Sequence, residues 1–113
     1  MCEIIKLNPN DQLYKTICAN FPEKEFSREF TIINKGQRPN VGILVLSGQL
    51  MVEKDNTSQT VGPENLVGIK ELLSGKSINV TVTIGPKSIV TLIDKFLLKD
   101  LVDKNQELFK EIL

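Results

Sequence analysis

Residues 41–53, reading VGILVLSGQLMVE, carry the strongest β signal in the chain. Leu44, Leu46, Leu50 and Val52 recur at period two on one face, and Gly48 falls on that same face. A glycine inside such a run marks a bend or a bulge. The constraint on the fold is that this pattern recurs in short pieces cut by turn residues. Residues 26–33 alternate, with Phe26, Arg28, Phe30 and Ile32 on one side, and Arg28 makes this an edge strand. Lys35-Gly36-Gln37-Arg38-Pro39-Asn40 is a turn. Lys54-Asp55-Asn56-Thr57 is a hairpin turn, across which residues 58–61 pair back. In residues 79–84, Val80, Val82 and Ile84 point in while Asn79, Thr81 and Thr83 point out. Gly85-Pro86 turns the chain into a last strand at residues 88–93. Many short strands with Gly and Pro turns between them predict a sandwich or jelly roll.

The flanks read differently. Residues 2–7 are a short apolar piece, an edge strand or an ordered arm, broken by Asn8-Pro9-Asn10. Asp11 caps a short helix with Leu13, Tyr14 and Ile17 on one face, and Asn20-Phe21-Pro22 ends it. Phe21 and Phe26 are expected to plug one end of the core. From Asp94 to Leu113 the pattern is helical, with Asp94 as a cap and Phe96, Leu97, Leu98, Leu101 and Val102 as an apolar face. Asp103 followed by Gln106 fits a capping box, so a second helix is expected to start there, lined by Leu108, Phe109, Ile112 and Leu113. Leu98, Leu101, Asn105, Leu108 and Ile112 are spaced 3, 4, 3, 4, a two-heptad seam with an asparagine at one a-like position. Packing of both helices back on the roll is the alternative to dimerisation through that seam.

Composition removes several classes of function. The 113 residues make one domain with one core. Lys plus Arg and Asp plus Glu are 14 each, so no net charge draws the chain to nucleic acid or anionic lipid. The sequence has no histidine, which excludes His general bases, Ser-His triads and His metal sites. Cys2 and Cys18 are too few for a zinc cluster. They fit either a disulfide or two free thiols of a reducing cytoplasm, and the thiols are the expectation. The N-terminus with Glu3 is not a secretory signal, and no segment approaches the roughly 20 apolar residues a membrane span needs. A cytoplasmic location follows as the expectation.

If there is a ligand site, residues 66–80 should hold it. They read as a loop, one helical turn, a second loop and the start of a strand. Gly68 opens the turn, so backbone amides there could face an anion.

The order of elements, a short N-terminal helix, a β roll interrupted by one helical turn and two C-terminal helices, resembles the cyclic nucleotide-binding domain family. The residues that carry the resemblance are Ile32 to Gly36, similar to an apolar strand ending in Lys-Gly, and the apolar run Ile43-Leu44-Val45-Leu46-Ser47-Gly48-Gln49-Leu50-Met51-Val52. Residues 62–73 resemble the turn leading to Phe-Gly-Glu-x-x-Leu-Leu, and residues 88–102 the last strand and hinge helix. The likeness spans residues 11–113. It implies a mainly β, jelly-roll-like fold in a single domain, residues 1–113, with the roll over about 26–93 and C-terminal helices over about 94–113. In nucleotide-binding members the cassette glycine is followed by a glutamate that bonds the ribose 2′-hydroxyl, and a later arginine neutralises the cyclic phosphate. Gly68 matches the glycine, but Ile69 stands at the glutamate position, and the arginine position falls at Ser77 or Ile78. A charge-assisted bond of the arginine kind contributes about 1.5–3 kcal/mol, so its loss is a large change. Lys70, Glu71 and Lys76 are neighbours at offsets that face other directions on a short helix.

The expected function is therefore a non-enzymatic regulatory module of signal transduction, degenerate for cyclic nucleotide and acting through a protein partner or a homodimer. No cofactor is expected. The alternative is a genuine small-ligand sensor using Gly68, Ile69, Lys70, Glu71, Leu72, Ser77, Ile78 and Asn79. Dimer or partner contact would fall to Leu98, Leu101, Asn105, Leu108 and Ile112. In the catabolite activator proteins that the resemblance includes, the long helix after the roll makes the dimer contact; no helix-turn-helix is read within these 113 residues, so DNA binding is not expected of them. An enzyme of the cupin kind would need histidines; without them catalysis would rest on carboxylates alone, such as Glu53, Asp55 and Glu64 on predicted turns or strand ends.

Overall fold

The computed structural model describes residues 3–112, and of Glu111 the backbone alone. Cys2 and Leu113, and with them the Cys2 half of any disulfide, lie outside the described residues. Among the described residues, nine strands form two antiparallel sheets. β1 (Ile4–Lys6), β2 (Glu23–Phe26), β4 (Val41–Ser47), β7 (Asn65–Val67) and β9 (Ser88–Asp94) pair in the order β1-β7-β4-β9-β2. β3 (Phe30–Ile33), β5 (Leu50–Lys54), β6 (Thr57–Val61) and β8 (Thr81–Ile84) pair in the order β3-β8-β5-β6. Helices α1 (Gln12–Asn20), α2 (Ile69–Ser74), α3 (Lys95–Lys104) and α4 (Gln106–Phe109), with a closing 3-10 turn Lys110–Ile112, complete the chain. The mainly β roll with a short N-terminal helix and two C-terminal helices is thus the observed architecture.

Two strands expected as single runs are each divided between the sheets. Residues 26–33 split into β2, which pairs with β9, and β3, which pairs with β8. Ser27, Arg28 and Glu29 between them are exposed, since polar side chains gain nothing from the interior. The Phe26 and Phe30 rings stack across that bend at 5.5 Å. Both strands lie at sheet edges, as Arg28 suggested.

Residues 41–53 split in the same way at Gly48, whose φ of 84° is left-handed. A Cβ there would come within 2.7 Å of Ser88 Cα, so only glycine lets the two segments pass so close to β9. Ser88 is fully buried, and its Oγ accepts from Gln49 N at 3.1 Å and donates to Gln49 O at 3.2 Å. The turn resets the period-two phase. Leu44 and Leu46 therefore do not share a face with Leu50 and Val52. They lie against the helices, while Ile43 and Val45 join Leu50 and Val52 inside the roll. β4 pairs with β7 and β9 along its two edges, and its faces are covered by the helices on one side and the roll interior on the other. β7, expected as loop, is three residues long, too short to show a period; it bridges β1 and β4, with Leu66 toward the helices and Val67 toward the roll.

Val80, Val82 and Ile84 point inward and are fully buried as the alternation required, although β8 itself starts at Thr81. Thr83, on the opposite face, meets Thr31 Oγ1 at 3.0 Å.

At the helices, local signals held unevenly. The Asp94 side chain accepts from Leu97 N at 2.9 Å and caps α3. Asp11 stands at the N-cap of α1 but makes no side-chain cap bond, and its own N–H donates to Asn8 O in the preceding turn. Leu13 and Ile17 are buried under α1, with Tyr14 half-buried beside them. Phe21 packs with the helices while Phe26 borders the roll interior, so the two do not plug one end together. Phe96 and Leu97 are 77% and 56% exposed. Consecutive residues step about 100° around a helix, and the inward stripe of α3 holds only Leu98, Leu101 and Val102. α3 runs through Asp103, which caps nothing; the break comes at Asn105, where φ is −138°, and α4 starts at Gln106.

Candidate functional site

Gly68 and Gly75 frame α2, with φ of 81° and 72°. Leu72 N donates to Gly68 O at 3.0 Å and Gly75 N to Glu71 O at 2.9 Å, so the single turn is closed at both ends by left-handed glycines. At Gly68 it is this φ, not space, that calls for glycine, since an added Cβ would meet nothing closer than 3.8 Å.

The eight candidate residues point in three directions. Ile69 and Leu72 turn toward the helix side of the five-stranded sheet and are buried. Gly42 on β4 makes room for them: a Cβ there would stand 3.0 Å from Ile69 Cδ1. The position expected to read a ribose is thus filled by an apolar side chain in the helix-side core. Ile78 turns into the roll interior, 1% exposed. Its backbone is zipped to the turn after β3: Ile78 N donates to Gln37 O at 2.8 Å, and Gly36 N donates to Ile78 O at 2.7 Å. Gly36 takes a φ of 93° to make that approach. Ser77 and Asn79 are exposed on either side.

Lys70 and Glu71 lie on the outer surface of α2. Lys70 Nζ pairs with Glu3 at 2.8 Å. These residues, with Leu73, Ser74, Lys76 and Ile112, line a cavity of about 510 Å³ beside α2. The two cations there meet two carboxylates, so the cavity carries no net charge to favour an anion. Inside the roll, Ile33, Val52, Val61, Val80, Val82 and Ile84 beside Ile78 are all at most 3% exposed. An open pocket on that face would leave part of its lining wet. Sequence reasoning missed Glu3 and Gln37 as partners of the site. Nothing local signals either, and only the turn glycine Gly36 hinted at a close backbone approach.

Of the other candidate carboxylates, Asp55 and Glu64 have lysine partners at the surface. Asp55, in the β5–β6 turn, lies 2.8 Å from Lys35 Nζ, whose hydrogen bond and charge hold its carboxyl below the usual range. Glu64 lies 3.5 Å from Lys6. Cys18 is an exposed free cysteine whose thiol is pushed up chiefly by partial burial.

The C-terminal seam does not form one helical stripe. Leu98 and Ile112 are buried in the helix-side core, and Asn105 sits at the helix break, its Nδ2 donating to Leu101 O at 3.0 Å. Leu101 and Leu108 are half-buried. No helix among the described residues is long and apolar enough to cross a membrane.

The backbone is similar to solved structures. One is a protein from a cyclic-GMP-dependent signalling pathway regulating bacterial phytopathogenesis, with a TM-score of 0.82 at 15% identity over 95% of this chain and 89% of that one. The Thermus thermophilus catabolite activator protein gives 0.75 at 15% identity over 94% of this chain, which spans 52% of that protein's length. PKAR CBD2 bound to Sp-2Cl-cAMPS gives 0.66 at 21% identity, over 87% of this chain and 73% of that one. No protein-family model and no curated protein matches the chain. The fold is that of the cyclic nucleotide-binding β roll.

Proposed function

We propose that this β roll is a non-enzymatic regulatory module that has given up cyclic nucleotide recognition and works through protein contacts. The observation that supports this most is Ile69. The residue after the cassette glycine is apolar, 1% exposed and packed on the helix side, where it can offer a ribose nothing. Two further features agree with it. Ser77 and Ile78 bring no cation to a phosphate, and the roll interior next to Ile78 is filled by Val and Ile side chains. A nucleotide entering there would have to displace close-packed aliphatic groups without gaining a charged bond in return.

Isothermal calorimetry on the purified, folded chain tests the reading, with cyclic AMP, cyclic GMP and cyclic di-GMP as titrants. No heat with any of the three is expected. A dissociation constant of about 10 µM or tighter, roughly −6.8 kcal/mol, would overturn it and make the chain a ligand sensor with an unusual cassette around Gly68, Ser77 and Asn79.

A further inference from the structure

The two sheets have four outer strands, and three are guarded against pairing with another chain. β1 is three residues long. β2 carries Glu23, Lys24 and Glu25 in succession. β3 has a register shift between Thr31 and Ile33. Short length, charge and irregularity are the usual ways an edge is blunted. β6 has none of them. Its sequence, TSQTV, holds no charge and no proline, and its first four residues are exposed. Its ladder with β5 is regular from Leu50↔Val61 to Lys54↔Thr57.

From this contrast we infer that β6 pairs with β6 of a second copy of the chain, antiparallel about a two-fold axis through Gln59. This deepens the reading above and rests on its protein-contact half, not on the state of the nucleotide site. The two-residue loop Asp55-Asn56 makes Lys54 and Thr57 the first hydrogen-bonded pair, and such pairs alternate along an antiparallel ladder. Thr57, Gln59 and Val61 therefore spend their backbone groups on β5, while Ser58 and Thr60 direct theirs outward. Those two positions are symmetric about Gln59. With Gln59 on the axis, Ser58 of each copy stands opposite Thr60 of the other, and every outward N–H and C=O finds a partner in four new backbone bonds. An identical strand is its own complement here, and the absence of charge leaves nothing to repel across the axis. A foreign peptide would meet the same backbone groups, but nothing on β6 selects a side chain for it.

Sedimentation equilibrium of the chain up to about 1 mM, the weak end of specific association, is the experiment. A concentration-dependent dimer is expected. Thr60→Pro removes an outward N–H from each copy and leaves the bonds to β5 in place, so it should weaken the dimer about tenfold or more. Gln59→Lys puts two like charges on the axis and should weaken it too. Mixing Gln59→Lys with Gln59→Glu should restore association as a heterodimer, which a general loss of structure would not do. Should Thr60→Pro fail to fold, the exposed Gln59 pair still decides the matter. A chain that stays monomeric throughout, one that takes up only an unrelated extended peptide at β6, or a dimer that neither substitution weakens would overturn the inference. Each of those outcomes leaves the calorimetric test of the nucleotide site untouched.

Discussion

The two faces of the five-stranded sheet are packed with different chemistry. Toward the roll interior, every fully packed side chain except Leu50 is Val or Ile. Toward the helices, Leu7, Leu13, Leu44, Leu66, Leu72 and Leu98, with Phe21 and Phe109, outnumber the β-branched Ile17, Ile69, Ile93, Val102 and Ile112. The interior is built almost wholly from strands, where β-branched side chains fit the pleat, and their χ1 angles are stiff. The helix side mixes strands with α1, α2, α3 and α4, and Leu and Phe have more rotamers with which to fill the angles between them. The difference teaches where this molecule can yield. A stiff, filled interior resists a guest, while the Leu and Phe side chains of the helix side have more rotamers with which to repack. For a roll proposed to work without a nucleotide, any response to a partner belongs on the helix side.

Three tests, built on five substitutions, break or sharpen that contrast. Gly48 is where the chain leaves one face's register for the other's. Gly48→Ala combines a left-handed φ with a Cβ 2.7 Å from Ser88 Cα. It should cost about 3 kcal/mol or more, seen as a lowered urea midpoint, and an unchanged midpoint would show that the junction relaxes freely. Next, Ile84→Ala inside the roll and Leu72→Ala on the helix side should each cost about 2–5 kcal/mol. If the faces are separate cores, the double variant should match the sum to within about 0.5 kcal/mol; a larger coupling would mean that one core spans the sheet. The smallest effect concerns two caps. Asp94→Ala should cost about 1 kcal/mol because its carboxylate holds Leu97 N, whereas Asp11→Ala should cost less than about 0.3 kcal/mol because its carboxylate caps nothing. Equal losses at the two positions would contradict that assignment.

What could be read from the sequence was local. Val80, Val82 and Ile84 announced an inward face because the alternation is unbroken over a short strand, and Asp94 announced a cap because its partner lies three residues on. The roll architecture followed from many such pieces. Facing was legible only up to a change of backbone phase. Gly48 was recognised as a bend, but a left-handed residue also carries the chain into the other sheet, so Leu44 and Leu50 part company. The site was legible as a segment and illegible as a geometry. Whether Ile69 turns to the roll or to the helices is decided by Gly42, some 27 positions earlier. The fixing of Ile78 is decided by Gly36 and Gln37. Asn105, placed at an a-like position of a seam, instead ends a helix, because its amide finds the Leu101 carbonyl within its own chain.

Glu3 and Ile112 line one cavity, together with Lys70 of α2. The first and the last described side chains thus face one cavity beside the same short helix. A pair of dyes placed on the two ends would start close together, and peeling α4 from the roll would part them. Such a pair would report on the yielding side of the sheet while leaving the stiff interior untouched.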